Sequence, residues 1–330
     1  MPMKTYSNLK KVNPDLFVKP IVTLGVFDGF HLGHQRVVTE LVRWAKKVGG
    51  ESVILTFRRH PRQILTRRGI GGRKSKLKEP PLFIFSLRHR LLHFARARVD
   101  YCIILPFTKR FADMPAEVFV RRVLCGKIAP FGILMGFDSS FGRGGEGNAD
   151  TLRRLAPECG FQVRTCRQVK VGKDTIGSTL VRKLVASGNI ERASSLLGRP
   201  VSVFGTVVKG SGRGETLGFP TANLNLHNET KPPPGVYAGE ARINPFSPGS
   251  RKVYSALINI GARPTFRGER ETVEVHLLRF RGDLYGSELE VSFLKRLRGE
   301  RKFRTAQALS AQMAADRDAL LALITHKRRR

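Results

Sequence analysis

Gly25-Val26-Phe27-Asp28-Gly29-Phe30-His31-Leu32-Gly33-His34 follows the apolar run that opens at Ile21 and precedes a segment with helical spacing over residues 35–48. Strand, glycine-rich turn and helix in that order predict a ligand site, because open α/β sheets bind where strands end. The N-terminus of a helix offers unpaired N–H groups and a partial positive charge to phosphate. His31 and His34 stand three residues apart, so they share a face of the first turn. Gly33 between them leaves room for a nucleotide to approach the backbone. Both imidazoles could cap the helix; both could also donate to a phosphoryl group gaining charge in a transition state. No Glu stands between them as in HExxH, which argues against zinc.

Working outward, residues 52–57, 101–105, 132–137 and 161–169 continue the series of apolar strands, with a helix over 116–124. Strands alternating with helices predict a parallel sheet covered on both faces. A helical pair follows, with Ser178 and Asn189 as caps and Gly188 closing the first helix. Beyond Gly198-Arg199-Pro200 the pattern changes to β-branched runs at 201–208, 255–260, 272–280 and 288–293, punctuated by Gly and Pro. That pattern predicts a small antiparallel barrel. An Ala- and Leu-rich helix over 305–326 ends the series. Expected domains are 1–185 and 201–330, with a linker at 186–200.

The 330 residues carry a formal net charge of +33, which attracts polyanions and suits phosphorylated substrates. The cations are spread along the chain, densest at 67–78 and 327–330, so a solvated basic surface fits better than a dedicated nucleic-acid groove. No run approaches the roughly 20 apolar residues of a membrane span. The polar N-terminus lacks a secretory signal. Cys102, Cys125, Cys159 and Cys166 form no CxxC pair and read as structural thiols of a cytoplasmic protein.

The second half opens on Gly210-Ser211-Gly212-Arg213-Gly214-Glu215-Thr216-Leu217-Gly218-Phe219-Pro220-Thr221-Ala222-Asn223. Glycines at 210, 212 and 218 let backbone N–H groups approach phosphate. The P-loop pattern GxxxxGK[ST] is absent. A Thr hydroxyl and an Asn carbonyl at Thr221 and Asn223 are hard oxygen ligands suited to Mg²⁺. Downstream, alternation puts Glu274 and His276 on one face of a strand and Val273 and Val275 on the other.

Together these segments resemble the prokaryotic bifunctional riboflavin kinase/FAD synthetase (FMN adenylyltransferase) family over residues 20–320. His31-Leu32-Gly33-His34 is similar to the HxGH signature of the nucleotidylyltransferase superfamily. Thr56-Phe57-Arg58-Arg59-His60-Pro61 resembles a TFxPHP segment, with Arg59 for Pro. Gly136-Phe137-Asp138-Ser139-Ser140-Phe141-Gly142 resembles a GxDFxFG loop, with Ser139 for Phe. Ile176-Gly177-Ser178-Thr179-Leu180-Val181-Arg182 resembles ISSTxIR, with Gly177 for Ser. Pro220-Thr221-Ala222-Asn223 matches the PTAN motif of riboflavin kinases. Glu215 replaces an Arg, and Arg279 an Asp.

The resemblance implies that ATP phosphorylates riboflavin to FMN and then adenylylates FMN to FAD, releasing pyrophosphate. It implies catalytic roles for His31, His34 and Glu274, with Glu274 as general base. ATP and phosphate would meet Gly25, Phe27, Asp28, Gly29, Gly33, Asp138, Ser178, Thr179, Arg182, Gly210, Gly212 and Gly218. Mg²⁺ would sit on Thr221 and Asn223. The departures leave open a chain retaining one activity. The charge leaves open a nucleic-acid-associated protein, although no helix-turn-helix, RRM or zinc-finger signature is present.

Overall fold

The computed structural model describes residues 2–58, 82–210, 219–247, 249–250, 252–265 and 268–328. Arg59, His60, Pro61, residues 67–78, and Gly212, Glu215 and Gly218 lie outside them. The chain divides into two compact units, residues 1–83 with 90–178, and residues 84–89 with 179–330.

The first unit is built on a six-stranded parallel sheet. Its strands are β1 (Lys4–Tyr6), β2 (Ile21–Leu24), β3 (Ser52–Phe57), β4 (Tyr101–Leu105), β5 (Gly132–Met135) and β6 (Gln162–Thr165), in the order β1-β4-β3-β2-β5-β6. Helices α1 (Leu32–Lys47), α2 (Leu87–Arg96), α3 (Ala116–Phe119) and α4 (Ala149–Cys159) connect or flank them. Strands β3, β4 and β5 are buried at every residue, as strands covered on both faces must be. The order runs outward from β2 through β3 and β4, then returns to β5 on the other side. The switch point therefore falls between β2 and β5, where the loops after both strands flank one crevice.

The expected helix over 116–124 is an α-turn that widens into a π-helical turn, Val120–Cys125. The expected strand at 161–169 is confined to β6; a hairpin of β7 (Lys170–Val171) and β8 (Asp174–Thr175) follows.

Besides residues 84–89, the second unit takes up the chain from Thr179 in α5 (Ser178–Ala186) and continues with α6 (Ile190–Leu197), whose Asn189 cap accepts from the Arg192 N–H. Strands β9 (Val201–Val208), β10 (Ala222–Asn225), β11 (Gly235–Ile243), β12 (Tyr254–Thr265), β13 (Gly268–Leu277) and β14 (Glu288–Arg298) close an antiparallel barrel in the order β10-β13-β12-β11-β14-β9. Helix α7 (Ala306–Arg328) packs Leu320, fully buried, against Ala238 and Leu257. The Arg298 guanidinium grips the Asp316 carboxylate at 2.8–3.1 Å, anchoring the same helix to β14.

A buried polar cluster supports the barrel. The His89 ring lies 3.1 Å from one Glu229 oxygen. Glu229 also accepts from the Ser86 and Phe204 N–H groups at 2.7 and 2.8 Å. The other His89 nitrogen faces Ser202 and Glu290. Burial by itself would lower the His89 pKa, but the Glu229 and Glu290 carboxylates together outweigh it and raise the pKa above the usual imidazole value. A raised folded pKa stabilises fully below the unfolded value of about 6.5, and that contribution is lost as pH climbs through the folded value. Calorimetric unfolding of the full chain should therefore show the transition of this unit falling as pH is raised above about 6.5. In His89→Gln the transition should be lower at pH 6 and this alkaline fall should be missing.

Candidate active sites

The turn after β2 has a backbone that only unusual dihedrals can make. Phe27, Gly29 and Phe30 all have positive φ, at 53°, 76° and 44°. Two of the three are not glycine, a strain of the kind that gathers at ligand sites. Side-chain packing holds it: the Phe27 ring meets Phe94 edge-on at 5.6 Å, and Phe30 stacks on His93 at 5.4 Å. The Phe27 and Asp28 side chains are interior, so what this turn can present to a ligand is chiefly backbone.

His31 ends the turn as the N-cap of α1, its Nδ1 accepting from the His34 N–H at 3.3 Å. The two imidazoles stack face to face, with centroids 3.6 Å apart and planes within 16°. A Cβ on Gly33 would come 3.2 Å from the His31 ring, so glycine is what lets that ring fold over the helix start. The result is a pair of nitrogen heterocycles at the positive end of a 16-residue helix. Gly25 backs the Phe27 ring, which its own Cβ would meet at 3.0 Å.

Ser178 reaches this turn, but its hydroxyl donates to the Asp28 carbonyl at 2.9 Å, and Ser178 is itself the first residue of α5, where a cap preceding the helix was expected. Thr179 is exposed and Arg182 half-buried on the same helix. Asp138 is exposed in the turn after β5, beside the switch point, and Phe137 next to it is 65% exposed. The Ser139 hydroxyl fills the space a Cβ on Gly136 would need, and Phe141 is buried.

Sequence reading missed the backing of this turn. Arg90, His93 and Phe94 lie on one face of α2, and all three are buried. The Arg90 guanidinium donates to the Val26 carbonyl at 2.7 Å, to the Thr56 hydroxyl at 2.9 Å and to the Phe57 carbonyl at 2.9 Å.

In the barrel, Asn223 pairs with Glu274 between β10 and β13, and Glu274 pairs with Asn259 between β13 and β12. One carboxylate thus sits between two amides in a continuous row across three strands. Val273 and Val275 point into the core, while Glu274 and His276 are half-buried on the opposite face. His276 Nδ1 meets the Pro220 carbonyl at 2.8 Å, tying β13 to the segment that carries Thr221 and Asn223. A Cβ on Gly210 would lie 2.0 Å from the Asn223 amide nitrogen, so residue 210 must be glycine for Asn223 to keep its place. Thr221, half-buried, precedes β10. The Thr221 hydroxyl and the Asn223 amide oxygen are hard oxygen donors of the kind that fit Mg²⁺, and the Glu274 carboxylate stands opposite Asn223 in the register.

A switch-point crevice with a histidine pair at a helix start defines a nucleotide-handling α/β unit, and the polar row defines a second site on a closed barrel. A family model described as FAD synthetase matches residues 16–180, and one described as riboflavin kinase matches residues 197–324. The bifunctional riboflavin kinase/FMN adenylyltransferase of Haemophilus influenzae is 33% identical over 295 residues, 89% of this chain and 91% of that protein. The protein of the same name from Bacillus subtilis is 31% identical over 317 residues, 94% of each chain. A solved structure from Streptococcus pneumoniae, named a macrolide-efflux protein, is 30% identical with a TM-score of 0.76, over 97% of this chain and 99% of that one. The chain belongs to the bifunctional riboflavin kinase/FMN adenylyltransferase family, and both of its enzyme domains are present. Among the described residues, no helix is long and apolar enough to cross a membrane.

Proposed function

We propose that residues 201–330 phosphorylate riboflavin to FMN and residues 1–185 adenylylate FMN to FAD, with 186–200 joining them. The observation that carries this reading is the coexistence of two unlike sites: the stacked His31–His34 pair at a helix start and the Asn223–Glu274–Asn259 row on the barrel.

In the kinase step Glu274 accepts the proton of the riboflavin 5′-hydroxyl as that oxygen attacks the γ-phosphorus of ATP; the bond from that phosphorus to the β,γ-bridging oxygen breaks and ADP leaves. Thr221 and Asn223 would hold Mg²⁺, which supplies charge neutralisation on the phosphates. Gly210, Gly212 and Gly218 bring backbone N–H groups to ATP. In the second step an FMN phosphate oxygen attacks the α-phosphorus, and pyrophosphate leaves. His31 and His34 donate to the charge that builds on the phosphoryl oxygens. The backbone from Gly25 through Gly29, with Gly33, Ser178, Thr179 and Arg182, orients the phosphates, and Asp138 borders the ligand.

The four cysteines are free thiols, which suits the reducing cytoplasm. Nucleic acid would be attracted to the basic surface without specificity and release with salt.

Incubating the purified protein with riboflavin, ATP and Mg²⁺ and separating the flavins by chromatography tests the proposal. FMN followed by FAD is the expected result. FMN alone would show adenylylation to be lost, pointing to Ser139 and Gly177. No turnover of riboflavin or of FMN would overturn the proposal in favour of a binding role.

A further inference from the structure

A fully buried guanidinium is costly unless hydrogen bonds replace its water, and it stays protonated at any ordinary pH. Arg90 has no exposed surface, and three of its hydrogen bonds end on Val26, Thr56 and Phe57. Those acceptors are not scattered. Val26 lies in the turn that leads to His31, while Thr56 and Phe57 close the neighbouring strand β3. The Thr56 hydroxyl itself donates to the Val26 carbonyl at 3.3 Å, so the three groups form one small network. Phe83 covers the guanidinium from 4.9 Å. One turn along α2, Phe94 and His93 pack on the two strained phenylalanines of the same loop.

We infer that Arg90 is a positioning residue for adenylylation: it holds the Val26–His34 turn in its strained form and lends that turn a buried positive charge. The inference rests on the proposed role of that turn in FAD synthesis. A charge screened from water acts at longer range than one on the surface, so it strengthens the hold of the turn on phosphate without touching it. The guanidinium also fixes the Val26 carbonyl at 2.7 Å, so the backbone of the turn is held in place before any ligand arrives.

The test compares Arg90→Met, Arg90→Lys and Thr56→Val in the full chain. It measures FAD formation from FMN, the inhibition constant of inorganic pyrophosphate, calorimetric unfolding of the first unit as the control for folding, and riboflavin kinase activity as a control for the rest of the chain. Arg90→Met should lower kcat/KM for adenylylation by about 100-fold and raise the pyrophosphate constant by about 10-fold. Arg90→Lys keeps the charge and should restore the pyrophosphate constant to within about 3-fold of the parent. Thr56→Val removes one acceptor and should lower adenylylation by about 3- to 10-fold. Kinase activity should persist in all three. If Arg90→Met does not fold, Arg90→Lys and Thr56→Val decide: parental adenylylation in both would overturn the inference. An unmoved pyrophosphate constant in folded Arg90→Met would overturn it too, because a residue serving stability alone lowers the amount of active protein without changing affinity. A parent chain that makes no FAD at all would remove the inference together with the reading beneath it.

Discussion

The double variant His31→Ala/His34→Ala should still convert riboflavin to FMN, while its FAD formation falls by at least about 10³-fold. In the proposed mechanism each imidazole donates to a phosphoryl oxygen at the transition state, and losing one such donor commonly costs about 10²–10³ in kcat. The two rings stack 3.6 Å apart and act as one unit, so the double variant should fall short of the product of two single losses. The helix should survive. Losing the His31 cap on the His34 N–H costs about 1 kcal/mol, and the buried face of α1, with Val37, Val38, Leu41 and Trp44, is untouched. Supplying FMN directly and following FAD by chromatography separates adenylylation from the kinase step. Undiminished FAD synthesis would sink the assignment of the pair.

Glu274→Gln should do the reverse. The kinase rate should drop by about 10²–10⁴, the usual worth of a general base, while FMN supplied from outside is still adenylylated. Gln keeps the volume and hydrogen-bonding reach of Glu but cannot take the hydroxyl proton. Its position between Asn223 and Asn259 sets the side chain on the outward face of β13, where substitution leaves the Val273 and Val275 core packing alone. KM for riboflavin should change little, because the lost interaction belongs to the transition state. A full kinase rate in this variant would refute the base role.

The two variants together make a crossed pair: each removes one activity and spares the other. Equal loss of both activities in either variant would point to damage of the whole chain, and the crossed pattern would place the two chemistries on separate sites.

Much of this was legible along the chain. Unbroken apolar runs marked β3 and β4 because a strand covered on both faces has no outward side chain to interrupt the run. Alternation identified β13 and the face of Glu274. It could not name the partners of that face, because the register of a barrel is set by closure over all six strands, with Asn223 and Asn259 brought to Glu274 from 51 and 15 residues away. Strand β1 escaped notice because it is three polar-leaning residues on a sheet edge. The π-helical turn at Val120–Cys125 has no period of its own to betray it.

The buried charges were the least readable. Arg90 and His89 are neighbours on α2, and a basic helical segment reads as a solvated face. Yet one is enclosed behind the turn that leads to His31 and the other joins Glu229, 140 residues away. By itself the sequence determined the strand–turn–helix that carries His31 and His34, the change from parallel sheet to barrel, and the residue types each site would use, since these follow from local periodicity and turn chemistry. Only the tertiary structure decided which cations and carboxylates would leave water, and which polar residues would stand side by side, because both depend on packing between segments distant in the chain.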